Sequence, residues 1–329
     1  MVQTPNSADT TSIAQWKNHL RSLVDSCGLV IVLLILVAVF GSLSERFLSV
    51  RTAISISNQI PDLTVVAIGM TFVLIAGGID LSVGSVIALC GALLGKWLID
   101  GHWPIPLAMM GAVAIGASCG AINGSICVGL RIPSFIVTLG MLEIARGAAY
   151  RVTNSQTKYL GSSLEWFGSS GSWGLSPACG FALLMVVIGQ IILSKTLLGR
   201  YWIAIGTNEA AAKYSGIDPR PYRWISFVIL GAMCGVGAIM QCSRLSTADP
   251  NASVGLELSA IAAAVIGGTS LMGGRGSAVK TFLGVLVIAV LQTGLASVGA
   301  SEPMKRMITG GVIIVAVVVD WVRRRGSIQ

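Results

Sequence analysis

The chain has few charged residues and few of the side chains that carry out acid–base or metal chemistry. Of its 329 residues only 11% are charged, whereas soluble domains average roughly 25%. Its two histidines, His19 and His102, lie far apart in the sequence, in the N-terminal tail and a predicted outer loop. An intramembrane enzyme would need a nucleophile or a metal constellation, so we expect no catalytic residue and no metal site.

The chain also lacks a basic run long enough to track a nucleic acid. It carries 22 Lys and Arg against 14 Asp and Glu, a formal charge of +8. In membrane proteins such an excess marks cytoplasmic loops and contacts with anionic head groups, so we expect membrane lipid and no nucleic acid as a partner. The seven cysteines lie mostly in apolar segments, which predicts buried thiols and not a disulfide framework.

Apolar residues and glycine are abundant instead. Hydrophobic residues make up 54% of the chain, the mean hydropathy is +0.81, and there are 40 glycines. This composition predicts an all-α polytopic membrane protein. Gly116, Gly120 and Gly124 repeat at four-residue spacing, as do Gly231 and Gly235, which predicts faces where helices pack closely.

About 20 mostly apolar residues are needed to cross the hydrocarbon, and ten segments qualify. Positive residues concentrate in the 198–222 loop and at Arg323–Arg325, which places both termini in the cytoplasm. Eight spans would do the same, so we expect eight to ten. The domains are then a cytoplasmic tail over 1–24, one transmembrane domain over 25–322 and a cytoplasmic tail over 323–329. The ten segments are 27–44, 54–76, 80–98, 106–129, 133–150, 178–197, 223–242, 255–272, 279–298 and 305–322.

One of these spans begins with an acid among glycines, in the sequence Gly77–Gly84. An Asp at the centre of a membrane helix costs about 2.5–3.5 kcal/mol, so Asp80 needs a polar cavity or a partner. The glycines permit a break in the helix, which is tolerated at membrane depth only where protein or water covers the backbone. We therefore predict a discontinuous helix beside a transport path, with Asp80 accepting hydrogen bonds from freed backbone N–H groups.

A short sequence similarity between two segments of the chain suggests a duplicated architecture. Asp80-Leu81-Ser82 opens the third span and Glu257-Leu258-Ser259 opens the eighth, as an inverted repeat of spans 2–5 and 7–10 would require. Glu143 and Arg146 lie one helical turn apart, which predicts an ion pair. We expect the translocation path and gate to include Asn58, Gln59, Phe72, Asp80, Ser82, Glu257, Thr269 and Ser270.

Two loops are unusually long. The predicted outer loop 151–177 is rich in Ser and Gly, with Tyr159, Trp166 and Trp173 between them. It is either a surface or re-entrant loop with aromatic anchors or a docking surface for a soluble partner.

The predicted inner loop 198–222 contains the signals of a short helix. Asn208 is placed to cap a helix over Ala210–Ser215, with Glu209 at its positive end and Gly216 closing it. Such a helix is a rigid contact for a soluble partner.

Three motifs resemble the permeases of bacterial ABC importers for ribose and related sugars: Gly78–Gly84, Gly199–Ile217 and Gly267–Gly276. Ile132–Gly140 lies between the first two, and the likeness runs from about Phe47 to Trp321. The resemblance implies a type II-like ABC importer permease in the bacterial inner membrane, in which two copies form the path. It implies a separate cytoplasmic ATPase that drives them and a periplasmic sugar-binding protein that delivers the substrate.

The resemblance also assigns the contact with the ATPase to the inner loop. Aligned with the E-A-A-x-x-x-G loop of other importer permeases, Glu209 lies one residue early. The residues implied for this coupling loop are Gly199, Arg200, Gly206, Asn208, Glu209, Ala210, Ala211 and Gly216.

The chain has no ATPase motif of its own. The nearest Walker-like string, Gly91–Trp97, lacks the required glycine spacing and the Ser or Thr after Lys96. We expect no bound cofactor, since ATP and magnesium belong to the partner ATPase. An ion-gradient-driven secondary sugar transporter is the alternative, because a discontinuous helix and a buried acid would serve it equally well.

Overall fold

The computed structural model describes residues 28–171 and 174–325; the predicted tail 1–24, Trp173 and residues 326–329 lie outside them. The described chain is helical apart from one antiparallel ribbon, in which Lys158 pairs with Ala248 and Tyr159 with Thr247. The strands are β1 Lys158–Tyr159 and β2 Thr247–Ala248. The helices are α1 Gly28–Leu43, α2 Val50–Gln59, α3 Pro61–Ile75, α4 Val83–Ile99, α5 Ile105–Gly129, α6 Ser134–Thr153, α7 Glu165–Gly168, α8 Pro177–Lys195, α9 Leu197–Thr207, α10 Glu209–Tyr214, α11 Pro219–Leu245, α12 Leu256–Ile266, α13 Ala278–Ser297 and α14 Glu302–Arg325.

Several helices have the length and composition of membrane spans. Within the described chain these are α5, α8, α11 and α13, and the pair α2–α3, bent by 48°, makes a fifth if it is one span. The bend falls at Pro61, which has no N–H to donate to the preceding turn. The fold is that of a polytopic membrane protein, while the count of ten spans stays a prediction.

Two local predictions are wrong. The helix expected over 255–272 ends at Ile266, because Gly267 and Gly268 close it. The expected ion pair of Glu143 with Arg146 is not formed. Arg146 instead donates to the carbonyls of Pro250 and Ala252 at 2.5 and 3.2 Å. These hydrogen bonds connect α6 to the segment that precedes α12.

The predicted glycine faces are confirmed in the packing of α5 against α11. A Cβ on Gly116 would overlap the backbone of Gly231 and Gly235, and a Cβ on Gly120 would overlap that of Phe227. The helices therefore meet backbone to backbone, as small residues allow in a membrane. This contact fixes the position of α11.

The core is built around α3. Of its 15 residues 14 are buried, which is typical of a helix that is apolar on all sides. It contacts α8, α11, α12 and α13. The residues that follow its end at Ile75 are consequently held by several elements at once.

Candidate transport and coupling site

The first helix break begins where α3 ends. Gly77 adopts a φ of 83°, and its N–H donates to Leu74 O while Gly78 N–H donates to Val73 O, both at 2.9 Å. This is a Schellman motif, in which one residue adopts the left-handed conformation. Glycine adopts it without the steric cost that a Cβ would add. The predicted break is therefore present.

Asp80 lies within this break and is 3% exposed. Its Oδ1 accepts from Ser82 N at 2.8 Å and from Ser82 Oγ at 2.6 Å, and its Oδ2 accepts from Asn123 Nδ2 at 3.2 Å. The carboxylate thus satisfies one of the N–H groups that have no partner at the start of α4. It also ties the break to α5.

Two side chains of α6 hold the same break, and sequence reasoning missed them. Ile79 N donates to Ser134 Oγ at 2.8 Å, and Leu81 N donates to Thr138 Oγ1 at 3.1 Å. The available signal was that Ser134 and Thr138 lie four residues apart, on one face of a helix. The break is therefore clamped by α5 and α6 together.

A second break follows α12 and repeats the geometry of the first. Gly268 has a φ of 83° and donates to Val265 O at 2.8 Å, while Thr269 N donates to Ala264 O at 2.9 Å. Ile266–Thr269 thus adopts the motif that Ile75–Gly78 adopts in the first break. The inverted repeat, which we read from Asp80 and Glu257, stays a prediction.

The coupling segment, residues 198–222, contains the predicted capped helix. Asn208 Oδ1 accepts from Ala211 N at 3.0 Å, and the helix runs over Glu209–Tyr214. Gly216 has a φ of 83°, and Ile217 N closes the motif on Ala212 O at 3.0 Å. This local prediction is confirmed, with the helix beginning and ending one residue earlier than expected.

The end of α9 contacts both breaks. A Cβ on Gly206 would overlap Ile75 O and Gly274 N, so no side chain fits there. Gly274 N itself donates to Ile75 O at 2.9 Å. Gly206, Ile75 and Gly274 therefore form a three-way backbone contact, which we call the glycine junction. It joins two of the motifs identified in the sequence, Gly199–Ile217 and Gly267–Gly276, to the end of α3, directly before the third motif.

A chain of polar contacts runs beside the glycine junction. Glu209 pairs with Lys213 at 2.6 Å and with Arg223 at 2.8 Å, and Arg223 Nε donates to Ala76 O at 3.0 Å. The hydrogen bond from Lys213, opposed by desolvation and aided by Arg223, lowers the pKa of Glu209. Arg223, which sequence reasoning did not single out, thus joins α10 to the end of α3.

The other predicted coupling residues differ in their surroundings. A Cβ on Gly199 would overlap the backbone of Ile192 and Leu193, so this glycine packs α9 against α8. Arg200, Ala210 and Ala211 are exposed.

The predicted path residues are spread over the molecule. Phe72 is fully buried and stacks on Trp202, with ring centroids 5.1 Å apart, which is a packing position. Asn58 accepts from Ser176 N at 2.9 Å and donates to Gly174 O at 2.9 Å, so it fixes the start of α8. Glu257 accepts from Gly255 N at 3.2 Å.

Thr269 and Ser270 lie in the second break. Both are buried, and Ser270 N donates to Arg275 O at 2.9 Å. Thr269 Oγ1 has no hydrogen-bond partner among the described residues. Gln59 is the predicted path residue that lines a cavity at the start of α3.

That cavity, the ribbon-end cavity, has a volume of about 600 Å³. An ion pair between Asp62 and Arg244 at 3.0 Å lies in its wall, and the sequence reading missed both residues. The available signal was one charged residue near the end of each of two apolar helices, Asp62 in the first turn of α3 and Arg244 in the last turn of α11. The polar residues lining it are Gln59, Asp62, Gln241, Arg244, Ser253, Ser259, Gln292, Thr293, Glu302, Lys305, Arg306 and Thr309.

A second cavity, the coupling-end cavity, has a volume of about 410 Å³ and is lined by Gly77, Gly78, Glu209 and Arg223 among others. It contacts the end of α3 and the start of α11, whereas the ribbon-end cavity contacts the start of α3 and the end of α11. The two cavities therefore lie at opposite ends of this helix pair.

Comparison with known proteins gives a family and several relatives. A family model described as branched-chain amino acid transport system / permease component matches residues 52–317. The ribose import permease protein RbsC of Escherichia coli (strain K12) is 36% identical over 295 residues, 88% of this chain and 92% of the relative. The D-allose transport system permease protein AlsC of the same strain is 35% identical, covering 90% and 91%. The autoinducer 2 import system permease protein LsrC of Enterobacter sp. (strain 638) is 36% identical, covering 87% and 84%. No solved structure matches significantly.

Proposed function

The chain belongs to the family of branched-chain amino acid transport system permease components, and on that premise we propose that it is the membrane-spanning subunit of an ABC importer for a monosaccharide. Two copies form the translocation path in the bacterial inner membrane, with both termini in the cytoplasm. A separate ATPase, which binds ATP and magnesium, contacts α10, and a periplasmic binding protein delivers the sugar.

The observation that carries this proposal is the glycine junction. Gly206 is in direct contact with Ile75 O and the Gly274 backbone. A displacement of α9 and α10 would therefore displace both helix breaks. Packed backbone transmits strain because protein interiors are dense. A soluble motor that moves α10 would thereby move the ends of α3 and α12.

The ribbon-end cavity has the chemistry that sugar passage requires. Its lining offers amide and hydroxyl groups that donate and accept hydrogen bonds, such as those of Gln59, Gln241 and Gln292. Among its charged residues, Asp62 pairs with Arg244 at 3.0 Å and Glu302 pairs with Lys305 at 3.3 Å, and Arg306 also lines the wall. This combination suits a ligand that is held weakly and released.

The monosaccharide class is supported by the relatives. RbsC and AlsC are named for ribose and D-allose, and each aligns with at least 88% of this chain. The family description names branched-chain amino acids instead. The monosaccharide assignment is therefore tested by measuring uptake.

The test is reconstitution of the purified chain in proteoliposomes with its partner ATPase and binding protein. We expect uptake of a labelled monosaccharide that requires all three proteins and ATP on the α10 side. An ATPase variant that binds but does not hydrolyse ATP is the control and should give no uptake. Uptake by the chain alone under a proton or sodium gradient would show a secondary transporter and overturn the proposal.

A further inference from the structure

The coupling-end cavity collects more positive charge than its own residues balance. Its volume of about 410 Å³ falls within the roughly 300–1,000 Å³ of small-molecule sites. It lies between α10, the start of α11, the first break and the turn between α5 and α6. Four cationic side chains and one carboxylate line it: Arg131, Lys213, Arg220, Arg223 and Glu209.

The single carboxylate is already engaged. Glu209 pairs with Lys213 and Arg223, so it offers nothing to the other two cations. The guanidinium groups of Arg131 and Arg220 have no hydrogen-bond or ion-pair partner within residues 28–171 and 174–325. Several like charges that converge on one cavity raise its potential and attract an anion.

The cavity also supplies a hydroxyl donor and an arginine in a turn of defined backbone conformation. Ser134 Oγ accepts from Ile79 N, which leaves its own O–H free to donate. Arg131 has a φ of 55° in the turn before α6, a backbone conformation that few residues other than glycine adopt. The turn therefore presents this side chain at the cavity by a defined backbone conformation.

We propose that the coupling-end cavity binds the phosphate group of an anionic ligand. Guanidinium groups present N–H donors in a planar fork that matches phosphate oxygens, and the contacts are charge-assisted. Two arginines and a hydroxyl can bind the oxygens of one phosphate. Lys213 and Arg223 add to the positive potential of the cavity while they remain paired with Glu209. The phosphate comes either from a soluble phosphate monoester or from the head group of an anionic phospholipid.

A bound phosphate would contact α10 and the first break together, because the cavity includes Lys213 and Gly77. It would thereby restrain the elements that the ATPase is proposed to move. This consequence for transport rests on the proposed function, whereas the binding itself does not.

The experiment uses the full chain in phosphatidylcholine nanodiscs, titrated calorimetrically with ribose 5-phosphate, with ribose as the uncharged matched probe. Retained phosphatidylglycerol is counted in parallel by native mass spectrometry after detergent extraction. The variants are Arg131→Gln and Arg220→Gln. Lys195→Gln is the control. This substitution also removes one positive charge, and Lys195 is exposed and does not line the cavity. Gel filtration and the melting temperature verify that each variant is folded.

Saturable binding of ribose 5-phosphate but not ribose, weakened about tenfold or more in both arginine variants and kept in Lys195→Gln, supports a soluble ligand. Phosphatidylglycerol retention with the same variant pattern, without binding of ribose 5-phosphate, supports a lipid head group. The proposal is overturned if neither probe binds, or if Lys195→Gln loses as much as the arginine variants. Since no ATPase is present, that failure would leave the proposed transport function standing.

Discussion

Arg223 joins α10 to the end of α3. Its guanidinium group contacts Glu209 and the Ala76 carbonyl, whereas Lys213 contacts Glu209 alone and is more than half exposed. Exposed pairs contribute little, while a charged hydrogen bond to a backbone carbonyl in a packed site contributes more. The two partners of Glu209 are therefore not equivalent.

We expect Arg223→Gln to lower ATP-driven sugar uptake several-fold, and Lys213→Gln to lower it less. Arg223→Gln removes the contact with Glu209 of α10 and the contact with the Ala76 carbonyl at the end of α3, whereas Lys213→Gln removes only a solvent-exposed contact. The measurement is the initial uptake rate in proteoliposomes at matched protein content. Equal losses in the two variants would show that Arg223 does not act through Ala76.

The lowered pKa of Glu209 gives a pH prediction with a definite sign. A carboxyl whose pKa is depressed on folding contributes stability above its unfolded pKa, about 4.3 for Glu, and loses it as the pH falls through the folded value. The difference in melting temperature between the wild type and Glu209→Gln should be constant from about pH 6 to about pH 8 and shrink below about pH 4.3. A difference that changes across the neutral range would contradict the ion-pair assignment.

At the scale of elements, the two breaks depend on left-handed glycines. A side chain in this conformation costs roughly 1–2 kcal/mol, even where space is available. A Cβ on Gly268 would meet no atom within 4 Å, and one on Gly77 would lie 3.5 Å from Arg223 Nη2, so the cost is one of backbone conformation.

We therefore expect Gly77→Ala and Gly268→Ala each to lower the free energy of unfolding by about 1–2 kcal/mol. Gly147→Ala is the control, because Gly147 lies in α6 with ordinary backbone angles and open space. Denaturation followed by circular dichroism in detergent provides the comparison. If Gly268→Ala were as stable as Gly147→Ala, the break would not need its glycine.

The elements that could be predicted are those set by neighbours in the sequence. The cap of Asn208 on α10 and the packing glycines of α5 and α11 follow from local hydrogen bonds and a four-residue period. The clamp of Ser134 on Ile79 joins residues 55 positions apart, and the Asp62–Arg244 pair joins residues 182 apart. Contacts of this kind depend on how helices pack, which one sequence does not specify.

At the scale of the whole molecule, α3 and α11 connect two cavities. A helix of 27 residues such as α11 is about 40 Å long, enough to reach from one side of a membrane to the other. The ribbon-end cavity lies at one end of this pair, and the coupling-end cavity and α10 lie at the other. On the proposed function, movement of α10 therefore reaches the ribbon-end cavity along α3 and α11, and along α12, whose Ser259 also lines this cavity.

The measurement that tests this account most directly is the number of sugar molecules imported per ATP hydrolysed, compared between Gly206→Ala and Gly147→Ala. A methyl at Gly206 overlaps the backbone of Ile75 and Gly274, and overpacking of this kind costs about 1–3 kcal/mol. It should separate α9 from both breaks, so we predict continued ATP hydrolysis with severalfold less import, while Gly147→Ala keeps the wild-type ratio. An unchanged ratio in Gly206→Ala would contradict the claim that the glycine junction couples the ATPase to the path.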